Sequence, residues 1–320
     1  MKSLGIAAFL AGAAILVLLV VRAGLPVLVD ALSALGFAGL LIVACVHLPV
    51  VALLGTAWWT IARGAERPRL SRFIWARAVR DAAAEALPFS QVGGYLIGAR
   101  ALVLSGADAS WAGISTLLDL ALEFMGKIPY VLAGLALLAV YRPKHLALCA
   151  VAGAAICAIA IVFVLQARPG AWPARITARV VSRWPRLAGM HAKALAVLRE
   201  MISRRDAVRI GVLLHLVCWA VGAAETWLIF RLMHRPIGLA PALVIDSLVG
   251  AIRAVLFFVP GALGIQEGGY VLLCGLFGLP PGAALALSLA RRARDLLIAA
   301  PVLLSWQWRE GRMLPGRFKS

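Results

Sequence analysis

Apolar stretches long enough to cross a membrane run almost end to end through these 320 residues, and eight of the 14 acidic residues lie inside them. They are Asp81, Glu85, Asp119, Glu123, Glu225, Asp246, Glu267 and Asp295, several with a basic residue nearby. Hydrophobic residues make up 63% of the sequence and mean hydropathy is +0.94, values that belong to an integral membrane protein. An ionised carboxylate in hydrocarbon costs at least ~3 kcal/mol, so such residues face a protein interior or a wet cavity. A charge-paired interior within a helix bundle points to a passage or binding site for something polar.

The formal charge of +18 raises nucleic acid as a partner. The bases instead cluster in short segments between apolar spans, as loops facing the cytoplasm and anionic lipid do. Few of them are Lys; the Arg bias, with abundant Ala, reads as a GC-rich bacterial genome. The cysteines (Cys45, Cys149, Cys157, Cys218, Cys274) lie in apolar runs without a CxxC pair, and read as small buried hydrophobes. The histidines (His47, His145, His191, His215, His234) are scattered, with no HExxH spacing, so neither a metal site nor a cofactor is expected. The first apolar run is too long for a signal-peptide core and reads as an uncleaved span.

Clear spans cover residues 4–21, 37–62, 146–166 and 210–230, each near the ~20 residues that a ~30 Å hydrocarbon core demands. Residues 110–140 and 281–308 are longer and carry charges. Residues 73–104 and 240–279 are hydrophobic but broken by Pro and Gly. Arg63 to Arg80, Arg168 to Arg209 and the tail after Trp308 are rich in Arg, and should all be cytoplasmic. Parity then requires 73–104 to enter and leave from the cytoplasm, and 240–279 to enter and leave from outside. The expectation is an all-α, polytopic membrane bundle of six spans, with two Pro/Gly-broken re-entrant hairpins in an inverted-repeat arrangement. One membrane domain covers 1–320: a first half to about 166, a basic linker at 167–206, and a second half from about 207. Both termini are expected in the cytoplasm.

Local sequence supports the repeat. The first broken piece contains Pro88, Gly93-Gly94-Tyr95, and the second Pro260, Gly264, Glu267-Gly268-Gly269-Tyr270. An Asp follows each at nearly the same distance, Asp119 and Asp295. Weak inverted repeats with broken helices mark transporters whose sites lie between the halves. Pro removes a helical donor and Gly pairs permit sharp reversal, so the tips are expected to expose backbone groups to a phosphate or other polar headgroup.

Helical spacing puts charges together. Asp119, Glu123 and Lys127 share one face; so do Arg77, Asp81 and Glu85, with Arg80 beside them; so do Arg291 and Asp295, with Arg294 adjacent; and Asp246 and Arg253. Arg291 lies about 15 Å from the start of its span at helical rise, near the midplane. The candidate substrate-binding residues are Glu267, Arg291, Arg294, Asp295, Asp119, Glu123, Arg80, Asp81, Glu85, Gly93, Gly94, Gly268 and Gly269. Glu267 leads, beside the Gly pair at a tip. In the linker, Arg175, Arg179 and Arg183 occupy one helical face and Ile176, Val180 and Trp184 another. Residues 175–205 therefore read as amphipathic helices on anionic inner-leaflet lipid.

The run from Phe73 to Gly94, with Pro260, Gly264 and Glu267-Gly268-Gly269, resembles the lysylphosphatidylglycerol synthase transmembrane-domain family, also called flippase-like. His47-Leu48-Pro49 and Trp58-Trp59 make the first run particularly similar to its hopanoid-biosynthesis-associated branch. The resemblance implies a bacterial inner-membrane protein that translocates or handles lipid, here a hopanoid or related polar lipid. Bifunctional members add a cytosolic aminoacyl-transferase domain, and this sequence stops soon after Trp308; synthase activity is expected to be absent. A membrane-embedded enzyme acting on a lipid headgroup, and a scaffold for a lipid-synthesis complex, stand as alternatives. Gly-x-Ser-x-Gly and metal-ligand clusters are missing, which weighs against the enzyme.

Overall fold

The computed structural model describes residues 17–18, 20–21, 25–62, 67–86, 90–145, 147, 151–153, 156, 203, 205–256 and 259–313. The spans expected at 4–21 and 146–166, the linker at 167–206 and the tail from 314 lie largely or wholly outside these residues, as does Pro88. The described chain is all helix: α1 (Leu25–Ile61), α2 (Leu70–Ala86), α3 (Ser90–Val103), α4 (Ala109–Tyr141), α5 (Arg205–Leu232), α6 (Leu239–Val255), α7 (Ile265–Leu276) and α8 (Pro281–Met313). Among the described residues, three stretches are long and apolar enough to span a membrane: Pro26–Ile61, Ala109–Tyr141 and Arg205–Leu232. α8 is as long as α4, but its central Arg residues lower its hydropathy. The chain is a multi-pass membrane bundle.

The span expected at 37–62 is the larger part of α1, which begins twelve residues earlier. The two parts meet at Gly36, whose φ of 61° lies in the left-handed region that glycine adopts without strain. α4 starts where Asp108 caps it, its side chain accepting the Trp111 amide at 3.0 Å.

Each broken piece forms a helix–break–helix unit whose arms pack on each other, α2 on α3 and α6 on α7. The outer ends of the first unit meet the C-terminal end of α8. There the Trp75 indole donates to Ser305 at 2.9 Å, and Arg100 pairs with Glu310 at 2.7 Å. The outer end of the second unit lies at the opposite end of the bundle, where Arg142 donates to the Leu276 carbonyl and Tyr141 meets Phe277 edge-on. The 3-10 turn Pro260–Ala262 of the second unit packs on α2 and α3 of the first, with the Glu85 carbonyl 3.8 Å from where a Cβ on Gly261 would stand.

One expectation is corrected here. The Gly pairs do not make the reversals, because Gly93-Gly94 lies inside α3 and Gly268-Gly269 inside α7. The second chain reversal occurs earlier, at Gly261, Ala262 and Gly264, all with positive φ. Gly94 serves close packing instead: a Cβ there would lie 2.7 Å from the Arg80 carbonyl and from Ala84 Cβ. Gly268 has nothing within 4 Å of that position.

Two apolar cores result. One gathers Leu35, Val43, Val131, Leu138, Ile229, Phe230, Ile245, Tyr270 and residues 283–287. The other gathers Trp58, Ile61, Phe73, Val79, Leu102, Leu118 and Leu122. On α5 and α8 the buried charged residues, Glu225 and Arg294, fall between the segments that join the two cores. Phe37, Leu117, Leu213, Leu272 and Leu304 are exposed, the outward apolar face that a bundle turns to lipid.

Candidate functional site

Four helices carry the polar layer between the cores: α1 brings His47, α4 brings Asp119 to Tyr130, α5 brings His215 to Thr226, and α8 brings Arg291 to Asp295. The two broken units add Arg77 to Glu85 from α2, Asp246 and Arg253 from α6, and Glu267 from α7. All eight carboxylates named from the sequence sit in ion pairs.

The first cluster joins α2, α4 and α5. Asp119 is fully buried and accepts from Arg80 at 2.6 Å, from Arg77 at 3.1 Å and contacts the His215 ring at 3.1 Å. Glu123 is held by Arg80 and, at 3.3 Å, by Arg77. Asp81 pairs with Arg77 at 2.8 Å, the i,i+4 contact that the spacing requires. The ring of Tyr95, just after the Gly pair, lies 4.2 Å from the Arg80 guanidinium.

The second cluster joins α5, α6 and α8. Arg291 pairs with Asp246 at 2.5 Å and donates to Thr226 Oγ1 at 2.6 Å and the Gly222 carbonyl at 2.7 Å. The Tyr130 hydroxyl donates to the other oxygen of Asp246 at 2.7 Å. Arg294 bridges Glu225 and Asp295, and Glu225 also meets His47 Nδ1 at 2.8 Å. Arg253 reaches across to Glu85, tying the second broken unit to the first.

Glu267, the leading candidate, is fully buried and fully engaged. One oxygen accepts the Gly264 amide at 2.8 Å, capping α7; the other accepts from Ser288 and Arg292, each at 2.8 Å. Ser288 in turn accepts from Gln266, so the cap is locked to α8.

Three pairings read from helical spacing are corrected. Arg291 bonds to Asp246 and not to Asp295, because three acceptors converge on it from α5 and α6. Asp246 and Arg253 consequently have different partners. Glu123 is taken by two arginines, and Lys127 instead stands over the Trp219 ring at 4.1 Å. Within one helix, i,i+4 partners are available; packing places better acceptors nearer.

His47 and His215 were missed, since spacing showed no metal pattern. Each is a polar residue in an apolar run with a buried carboxylate as partner, and the run alone was the available signal. Among the described residues no three His, Cys, Asp or Glu side chains converge as a metal site would require.

His47, Asp81, Glu85 and Asp295 line a narrow cleft between α1, α2 and α8 with a cavity volume of about 40 Å³, room for a few water molecules. Its walls are completed by Val51, Ala78, Ala82, Ile298 and Ala299. Three carboxylates and a histidine form one part of its lining and aliphatic side chains the rest. Burying each ion costs several kcal/mol, and a buried pair is often replaceable by apolar residues without loss of stability. A whole layer of pairs is therefore a functional candidate rather than a stabilising device.

The model of one protein family, described as "Lysylphosphatidylglycerol synthase TM region", matches residues 4–302. No curated protein and no solved structure matches the chain.

Proposed function

The chain belongs to the lysylphosphatidylglycerol synthase TM region family, and on that premise we propose that it translocates a polar lipid between leaflets of the bacterial inner membrane. A hopanoid or related polar lipid is the cargo we favour, following the similarity of the run around His47 and Phe73 to the hopanoid-associated branch. The observation that carries the proposal is the layer of eight paired carboxylates between two apolar cores, with an amphiphilic cleft opening on three of them. In a membrane, such a layer offers a headgroup a graded set of partners in place of water.

The broken units, in this reading, are re-entrant hairpins opening toward opposite leaflets. Their outer ends at opposite ends of the bundle support it, as does the packing of the Pro260–Ala262 turn on α2 and α3. The termini are cytoplasmic, the lipid is moved without covalent change, and anionic inner-leaflet lipid is bound at residues 175–205.

Purified protein in phosphatidylcholine vesicles tests the function. Fluorescent phosphatidylethanolamine and phosphatidylglycerol are followed by dithionite quenching, and a polyhydroxylated hopanoid by periodate cleavage. Transfer of at least one of these beyond protein-free vesicles, with the lipid recovered intact, is the expected result. Covalent change of the lipid favours the enzyme. Neither transfer nor change favours the scaffold.

A further inference from the structure

We propose that the His47–Glu225 pair is a proton-binding site through which the transport reaction draws on the proton gradient. This rests on the transport reading above.

His47 has two faces. Its Nδ1 lies 2.8 Å from Glu225, which is sealed in the interior, while its own ring is half-buried and lines the cleft. The other oxygen of Glu225 is held by Arg294, and Arg294 also holds Asp295 at 2.7 Å. Asp295 lines the same cleft. A chain of hydrogen bonds thus leaves the cleft at His47, passes through Glu225 and Arg294, and returns at Asp295.

The charge balance of the layer calls for one more positive charge. Among the described residues its eight carboxylates stand with seven bases: Arg77, Arg80, Arg253, Arg291, Arg292, Arg294 and Lys127. With both histidines neutral, one negative charge is in excess. An uncompensated charge in low dielectric is costly, and a single proton removes it.

Two imidazoles contact carboxylates, and only one suits. His215 is fully buried, and its Nδ1 has no hydrogen-bond partner. That suits a neutral ring donating from Nε2 to Asp119, because protonation would bury an unpaired N–H. His47 reaches the cleft and can exchange protons with water there. The charged groups around it are Glu225 on α5, Arg294 and Asp295 on α8, and Asp81 and Glu85 on α2, backed by Arg77 and, from α6, Arg253.

The proton goes from water in the cleft to Nε2, leaving an imidazolium whose Nδ1–H donates to Glu225. Glu225 is then compensated from α1, and Arg294 bears more fully on Asp295. Without the proton, Glu225 depends on Arg294, and Asp295 presents more negative charge to the cleft. Proton occupancy therefore sets the charge that an incoming headgroup meets.

Two measurements test this on the full chain. In lipid nanodiscs, histidine labelled with ¹⁵N is followed from about pH 9 to about pH 5, on either side of the ordinary imidazole range. The His47 signal is identified by its loss in His47→Gln. The His47 signal is expected to pass from that of a neutral ring to that of an imidazolium across this range, and to move in Glu225→Gln. If His47→Gln does not fold, the signal that moves in Glu225→Gln identifies it.

In phosphatidylcholine vesicles, the leaflet ratio of fluorescent phosphatidylethanolamine is measured with and without a pH gradient. One pH unit supplies about 1.4 kcal/mol per proton, so one-for-one coupling moves the ratio about tenfold, and His47→Gln removes that shift. A His47 that stays neutral throughout overturns the proton site and leaves transport standing. So does a titrating His47 with a leaflet ratio indifferent to the gradient. Absence of transfer of all three lipids by folded wild-type protein refutes the transport reading, and the coupling with it.

Discussion

Replacing Asp119 with Asn should be among the most damaging single changes in the molecule, although it alters one atom. Asp119 is fully buried and is shared by Arg80 at 2.6 Å, Arg77 at 3.1 Å and the His215 ring. In Asp119→Asn the two guanidiniums keep Glu123 and Asp81 as anions but lose the one deepest between them. Breaking a buried pair from one side costs about 3–5 kcal/mol, because the remaining charge stays buried and uncompensated. Asp81 is the internal control. Its side chain is 35% exposed, it pairs with Arg77 alone at hydrogen-bond distance, and Asp81→Asn should cost about 0–1 kcal/mol. The repair is equally informative: Arg80→Met combined with Asp119→Leu removes one charge of each sign and should be less destabilised than Asp119→Leu alone. Reversible unfolding in mixed micelles, followed by tryptophan fluorescence, measures all four. Equal losses for Asp119→Asn and Asp81→Asn, or a double variant worse than the single, would refute the reasoning that burial and pairing set the cost.

Three further outcomes follow. Gly94→Ala should destabilise by about 1–3 kcal/mol, since its Cβ meets backbone that cannot yield, whereas Gly268→Ala has open space and should gain up to about 1 kcal/mol of helix propensity; thermal denaturation of the two ranks them. Glu267→Gln keeps an oxygen for the Gly264 amide but turns its amide N–H toward Arg292, so it should fold with reduced stability and lose lipid transfer per folded molecule; full activity per folded molecule would make Glu267 a helix cap and nothing more. Single cysteines on a cysteine-free background should be labelled from outside at residues 231–240 and from the cytoplasm at Arg183 and Ser320, and external labelling at either of the last two would sink the topology.

Much was decided by the sequence alone. Apolar runs of spanning length dictate a membrane bundle, since only helices and closed barrels satisfy their backbone in lipid. The same runs mark the eight carboxylates as interior, because lipid tolerates no isolated charge. Pro260 with its flanking glycines announces a break, for a missing donor and positive φ end a helix wherever they fall. Partner choice was beyond such reading. Helical spacing brings Arg291 within reach of Asp295, Glu123 within reach of Lys127, and Asp246 within reach of Arg253, and each pairing yields to a contact between helices. Arg291 finds Asp246, 45 positions away in sequence, together with Thr226 and the Gly222 carbonyl; Arg253 finds Glu85. An ion pair in low dielectric is governed by distance and desolvation, and those are properties of how α5, α6 and α8 pack. The role of the glycines was likewise tertiary: Gly94 and Gly268 look alike in sequence, but only Gly94 has another helix against it. His47 and His215 became legible as members of the polar layer only once folding set a buried carboxylate beside each.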